Sequence, residues 1–79
     1  MKLKVISPET VVFEGEVDMV TLPGASGAFT VLKNHASLVS TLTPGTMIYK
    51  TPESAEEVRR EIDGGIVDVD NNVISVCLY

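Results

Sequence analysis

The side chains that could perform chemistry are few in this 79-residue chain, which has one histidine, His35, and one cysteine, Cys77. A cysteine and a histidine can act together as nucleophile and base if the fold brings them into contact. Cys77 lies in an apolar run, which is typical of a small core residue, whereas His35 lies in a polar corner, which is typical of a surface or turn-bonding histidine. A single histidine cannot supply a histidine cluster to a metal. We therefore predict no catalytic residue and no metal site.

Two short patterns resemble binding loops only in part. Residues 68–72 place two aspartates and an asparagine at alternate positions, as a calcium loop does. However, Val73 stands where that loop needs glycine, and Tyr79 stands where it needs a bidentate glutamate, so a hairpin with solvated acids is the simpler interpretation. The glycines of residues 24–27 are too close together for a phosphate loop and are not followed by its lysine. The sequence therefore predicts no cofactor.

The charge distribution excludes several kinds of partner. The formal net charge is −5, and the basic residues are scattered apart from the pair Arg59-Arg60. The chain has neither a basic stripe nor a tryptophan, which argues against nucleic acid and anionic lipid surfaces. The first apolar run stops at Pro8 and is too short for a signal peptide, and no run is long enough to span a bilayer. We predict no nucleic-acid partner and no direct lipid insertion.

Residues 22–42 contain two tight corners on either side of a short apolar run. One proline and two glycines at 23–27 form the first corner, and Lys33-Asn34-His35 forms the second. Glycine supplies positive φ without steric cost, and asparagine tolerates the left-handed region. The pattern predicts two longer strands joined through a short one, with the corners at opposite ends of residues 29–32.

The N-terminal segment reads as two strands. Residues 2–7 alternate between polar and apolar, and residues 10–14 are rich in β-branched and aromatic types, which favours a strand in both places. Regular alternation would put Val11 and Phe13 on one face of the second strand. Gly15 then ends that strand or forms a bulge.

Residues 52–60 are ambiguous. Thr51 could cap a helix with Pro52 at its first position, and the glutamates that follow suit the first turn of a helix. The alternation of residues 57–63 predicts a strand equally well. Before this segment, Gly45 is expected to supply positive φ in a turn.

The C-terminal segment predicts a hairpin. Asn71-Asn72 lies between two apolar runs, which is a signal for a two-residue turn with positive φ at both positions. In the last strand, residues 73–78, both faces are expected to be at least partly buried. Together the segments give about nine or ten short strands, so the predicted fold is all-β, a small β-sandwich or flattened barrel.

Five motifs occur in order: Leu22-Pro23-Gly24, Gly27-x-Phe29, Asn34-His35-Ala36, Pro44-Gly45 and Gly64-Gly65. At these spacings the chain resembles the epsilon subunit of the F-type ATP synthase, over nearly its whole length. It departs from the family pattern at Thr30, where glycine is usual, and at Lys33 and Ser37, where proline is usual. The resemblance also decides the ambiguous segment, because it implies a hairpin that pairs residues 46–51 with 57–63.

The resemblance implies a non-catalytic rotor subunit in the central stalk of the F1 complex, at the cytoplasmic face of the bacterial plasma membrane. One side of the sandwich would contact the gamma subunit, and one end would contact the polar loops of the membrane c-ring, coupling proton translocation to ATP synthesis. The implied c-ring-facing residues are Gly27, Ala28, Phe29, Lys33, Asn34, His35 and Ala36. The implied gamma-facing residues are Val39, Ser40 and Leu42. Family members often carry an acid near Ala28, so one polar ring contact is missing here.

The resemblance also bears on domain organisation. Typical epsilon subunits continue into a two-helix hairpin that can inhibit ATP hydrolysis and, in some members, binds ATP. This sequence runs from Met1 to Tyr79, so we expect one epsilon-type sandwich domain, naturally short and without the helical hairpin. The alternative function is a stand-alone β-sandwich interaction or carrier module. A carrier would need a lysine at an exposed hairpin tip, and Lys33 lacks the methionine neighbours of such a site.

Overall fold

The computed structural model of the chain describes residues 1–54 and 56–79, and all regular structure in these residues is β-strand. The strands of the described residues are β1 (Lys2–Ile6), β2 (Val11–Glu16), β3 (Met19–Gly24), β4 (Gly27–Leu32), β5 (Leu38–Leu42), β6 (Gly45–Lys50), β7 (Val58–Ile62), β8 (Gly65–Asp70) and β9 (Val73–Leu78). The predicted all-β class and strand number are confirmed. Within the same residues, no helix has the length and apolar character needed to cross a bilayer.

The strands form one curled sheet in the order β2-β1-β9-β8-β5-β3-β6-β7, with β4 beside β3. β1 and β9 run parallel, and the other neighbours are antiparallel. The curl makes two layers, because β5 and β3 share only the pair Gly24 and Leu42. We call β2-β1-β9-β8-β5 the five-strand layer and β4-β3-β6-β7 the four-strand layer. Their inner faces enclose the core, as in a sandwich.

The core is built from both layers. The buried hydrophobic residues are Leu3, Val5, Val17, Val20, Leu22, Val31, Leu42, Met47, Tyr49, Ile62, Val67, Val69, Ile74 and Val76. Alternation in β1, β8 and β9 puts every second side chain into this core. The rings of Phe13 in β2 and Tyr49 in β6 lie 4.5 Å apart between centroids, which joins the two layers at one side. Burying each large side chain contributes about 1.5–3 kcal/mol.

One N-terminal prediction is wrong. Val5 pairs with Phe13 and Ile6 pairs with Val11, so Val12 is an extra residue in β2. This bulge turns Val11 outward, where it is 53% exposed, while Val12 and Phe13 pack against the core. Val11 and Phe13 therefore do not share a face. Gly15 neither ends the strand nor forms the bulge, and its missing side chain leaves room for the Phe13 ring.

The ambiguous segment is a hairpin, as the resemblance implied. β7 pairs with β6 from Val58 opposite Tyr49 to Ile62 opposite Gly45. The described residues of the connecting loop contain no helix, and Ala55 lies outside the described residues. Gly45 does not adopt positive φ, so that expectation is wrong. Glycine is needed at position 45 because a side chain would not fit there: an added Cβ would lie 2.9 Å from Cβ of Pro23.

Candidate functional site

The connection between β4 and β5 forms an exposed polar corner of residues 33–37, which we call the 33–37 corner. Asn34 has a φ of 65°, and the N–H of His35 donates to the carbonyl of Leu32 at 3.1 Å. Nδ1 of His35 lies 2.7 Å from the carbonyl oxygen of Ala36. Since a carbonyl can only accept, Nδ1 carries the proton. His35 is therefore an exposed histidine that forms a hydrogen bond within its own turn. This agrees with the prediction of a surface or turn-bonding histidine.

The 33–37 corner is tied to the turn between β8 and β9. The backbone N–H of Asn34 donates to Oδ1 of Asn72 at 2.6 Å, and Nδ2 of Asn72 donates to Oδ1 of Asn34 at 2.9 Å. We call this pair the Asn34–Asn72 clasp. Beside it, the hydroxyl of Ser37 donates to Oδ1 of Asp70 at 2.6 Å. The sequence indicated that Asp70 is a solvated acid, but its carboxylate accepts a hydrogen bond from Ser37.

The turn between β8 and β9 has the predicted geometry. Asn71 and Asn72 have φ values of 50° and 62°, so the two-residue turn with positive φ is confirmed. We call residues 71–72 the 71–72 turn. Its contact with Asn34 was missed because the partners are 38 residues apart in the sequence, and no local pattern reports that distance.

The remaining c-ring-facing candidates lie at the other end of β4. Gly27 and Ala28 are exposed and Phe29 is half-buried, whereas Lys33 and the residues after it follow the last residue of the strand. With a rise of about 3.4 Å per residue, six residues put the two ends roughly 17 Å apart. The structure therefore divides the seven candidates into two groups along β4, which pairs with β3 alone among the described strands.

Phe29 is held by the fold. An added Cβ at Gly24 would lie 2.8 Å from both the Phe29 ring and the carbonyl oxygen of Gly27. The glycine at position 24 is therefore needed for close approach, whereas Gly27 has the left-handed φ of 124° that the corner predicts. Phe29 packs against the core, so it anchors the first corner and presents only part of its ring.

The three gamma-facing candidates lie on β5 and do not share a face. Val39 is 72% exposed, whereas Leu42 is 4% exposed and belongs to the core. Ser40 is half-buried, and its hydroxyl donates to the carbonyl of Thr41 at 3.0 Å. Leu42 is therefore corrected to a core residue. Alternation along β5 explains this, because a run of neighbouring residues cannot all face one partner.

The outer face of the five-strand layer carries a row of mostly apolar side chains. Ladder register aligns Thr41, Ile66, Cys77, Ile6 and Val11 across the five strands. Cys77 is exposed, so the prediction of a core cysteine and of a second covered face on β9 is wrong. An apolar strand face is typical of a covered sheet. In the described residues, nothing from the chain itself covers this one.

The histidine and the cysteine do not meet. The 33–37 corner bonds Asn72, which precedes β9, whereas Cys77 lies near the end of β9. Most of the length of that strand separates the two side chains. Among residues 1–54 and 56–79, no group of three potential metal-ligating side chains converges. The described residues therefore offer two surfaces, a polar corner and a sheet face that carries a mostly apolar row.

Fold and site define the class of the chain as a small β-sandwich domain with two exposed surfaces of different chemistry. Residues 1–78 match the family described as the ATP synthase, Delta/Epsilon chain, beta-sandwich domain. The chain belongs to this family.

Curated relatives support the same membership. The chain is 40% identical over 76 residues to the ATP synthase epsilon chain of Leptospira interrogans, covering 96% of this chain and 58% of that protein. It is 43% identical over 70 residues to the ATP synthase epsilon chain of a Sulfurovum species, covering 89% of this chain and 54% of that protein. The chain thus spans somewhat more than half the length of these relatives.

Solved structures share the fold. A chain of the Euglena gracilis mitochondrial ATP synthase, in a structure of OSCP, F1 and c-ring, superimposes with a TM-score of 0.88 at 22% identity. That match covers 96% of this chain and 48% of the other. A chain from the central stalk and c-ring structure of the Tetrahymena thermophila enzyme gives 0.81 at 16% identity, covering 98% and 61%. At these identities the likeness concerns the fold.

Proposed function

We propose that this domain is part of a non-catalytic central-stalk subunit of an F-type ATP synthase, where it bridges the gamma subunit and the c-ring. The observation that carries the proposal is the family match over residues 1–78. A relative of 43% identity named ATP synthase epsilon chain supports it. In this role the domain couples proton translocation to ATP synthesis without performing chemistry.

The 33–37 corner is proposed to face the polar loops of the c-ring. Lys33, Asn34, His35 and Ala36 are all exposed there. The other c-ring-facing candidates, residues 27–29, contact the ring only if the interface extends along the edge of β4, because roughly 17 Å separate the two ends of this strand. The methyl group of Ala28 offers the ring no charge, so the polar contact is concentrated at the 33–37 corner.

The outer face of the five-strand layer is proposed to face gamma. Val39 is the candidate from β5 that projects fully outward, whereas Ser40 is half-buried and lies on the opposite face of the strand. The neighbouring apolar row enlarges this surface with Ile66 and Cys77. The centre of a protein interface is depleted in charged residues. The row through Ile66 and Cys77 fits that composition, whereas the next row carries charged side chains, beginning with Asp68 opposite Val39.

A β-sandwich suits mechanical coupling. One elementary charge moved through 100 mV supplies about 2.3 kcal/mol, so a joint that deforms easily would absorb the work of the ring. Two packed layers with a continuous core resist such deformation. The domain would sit peripherally at the cytoplasmic face of the bacterial plasma membrane, held by its protein partners.

The gamma assignment is tested by a charge on the outer face. Val39→Asp should weaken binding of the 79-residue chain to a gamma–c-ring complex about tenfold or more, because an unpaired carboxylate would be buried at the contact. Val58→Asp is the matched control, since Val58 is also exposed, at 40%, but lies in β7 of the four-strand layer. Equal binding by the two variants would contradict the assignment.

A further inference from the structure

The Asn34–Asn72 clasp is not required by the turns that contain it. Asn34 and Asn72 have φ values of 65° and 62°, a region that glycine enters without steric cost and asparagine merely tolerates. Turn geometry alone would therefore be served better by glycine at both positions. What asparagine adds at each position is an amide side chain, and the structure uses both amides for hydrogen bonds between the turns.

The 33–37 corner is fixed on both sides of His35. On one side the clasp holds Asn34, and on the other the hydroxyl of Ser37 bonds the carboxylate of Asp70. Both tethers lead to the same hairpin of β8 and β9. The backbone of the 33–37 corner is thus held in place while its side chains stay exposed.

The two segments also share one surface. Residues 34–37 and 70–72 line the same open depression between the 33–37 corner and the hairpin. A partner loop that contacts His35 would therefore lie next to the 71–72 turn. The c-ring-facing candidates carried over from the family include no residue of this hairpin.

We propose that Asn72 is a positioning residue for the 33–37 corner and that the 71–72 turn belongs to the same partner-binding surface. The proposal rests on the proposed function for the identity of the partner, the polar loops of the c-ring. A loop that is fixed before contact loses less conformational entropy on binding than a mobile loop does. Asn72 thus strengthens the contact through Asn34.

The test compares two variants in the same turn. Asn72→Gly removes the clasp but keeps a residue that adopts positive φ, so the hairpin retains its geometry. Asn71→Gly is the matched control, because Asn71 also has positive φ and its side chain forms no hydrogen bond within the described residues. Thermal unfolding and a dispersed NMR spectrum show that each variant is folded.

The first readout is hydrogen exchange at the Asn34 amide. Exchange should accelerate about tenfold or more in Asn72→Gly and less than about twofold in Asn71→Gly, since only the first change frees this N–H. Asn72→Asp keeps the acceptor for that N–H and should restore most of the protection. Unchanged exchange in Asn72→Gly would overturn the positioning role.

The second readout is binding of the full chain to a gamma–c-ring complex that lacks it. Asn72→Gly should bind about fivefold to tenfold more weakly than the wild type, mainly through faster dissociation. Asn71→Gly keeps the clasp but removes a side chain from the proposed surface, so it should also bind more weakly, by a smaller factor. In a complex that the wild type joins, faster exchange with unchanged binding of Asn72→Gly would overturn the role of the clasp in the contact. Wild-type binding by Asn71→Gly would overturn the inclusion of the turn in the surface. Failure of the wild type itself to bind would instead contradict the proposed function. Hydrogen exchange would then still test whether Asn72 positions the 33–37 corner.

Discussion

The 33–37 corner and the outer face of the five-strand layer are both exposed, yet they are built in opposite ways. The corner is a connection between strands, is polar except for Ala36, and is held by side-chain bonds to a distant hairpin. The outer face is regular β-sheet, carries an apolar row, and needs no such bonds because the strand ladders hold it. The first is suited to selective contact with a polar loop, and the second provides apolar area for a broader interface.

This difference changes what a substitution can reveal. On the outer face, backbone geometry is set by ladders, so side chains can be exchanged with little effect on folding. In the 33–37 corner, the side chains that fix the backbone lie beside those that would contact a partner.

Two positions on β5 should separate core from surface. Leu42→Ala should lower the free energy of unfolding by about 2–5 kcal/mol, because it leaves a cavity in the core. Val39→Ala should change it by less than about 0.5 kcal/mol, because the residue is exposed. Chemical denaturation of both variants measures the difference. Equal and small effects would mean that Leu42 also belongs to the outer face.

Cys77 should behave as a surface thiol in the free chain. Alkylation of the folded chain should be within roughly tenfold of the unfolded rate, whereas a core thiol that reacts only through global unfolding would be slower by about a thousandfold or more. Labelling with a polar reagent, with and without denaturant, gives the ratio. Binding of gamma should then reduce the labelling rate. Slow labelling in the absence of any partner would show that the Cys77 side chain is buried.

The smallest effect is expected in the 33–37 corner. Ser37→Ala removes the bond to Asp70 and should cost about 0.5–1.5 kcal/mol of stability, as is usual for one hydrogen bond. Ser26→Ala, in the exposed turn between β3 and β4, serves as the control and should have almost no effect. Comparable values for the two serines would show that the tether contributes little to the 33–37 corner.

Local patterns predicted the local structure well. The Asn71-Asn72 turn follows from residue types that tolerate positive φ, and the all-β class follows from short alternating runs between turn signals. The β6–β7 hairpin needed the family resemblance, since the local signals around Pro52 suited a helix and a strand equally. These features depend on residues close together in the sequence.

The errors have a common physical origin in long-range structure. Cys77 was placed in the core because an apolar strand face looks the same whether the chain or a partner covers it. Leu42 was placed on the gamma side because a family segment was carried over without its strand register. The clasp between Asn34 and Asn72 depends on topology that brings two distant turns together. None of these could be obtained from neighbouring residues.

The most direct test of the central claim is to purify the ATP synthase from native membranes and measure the amount of this polypeptide against gamma. The account predicts close to one copy per gamma, retained with the c-ring through mild solubilisation. Absence of the chain from an intact, coupled enzyme would contradict the stalk assignment and would favour a stand-alone interaction module.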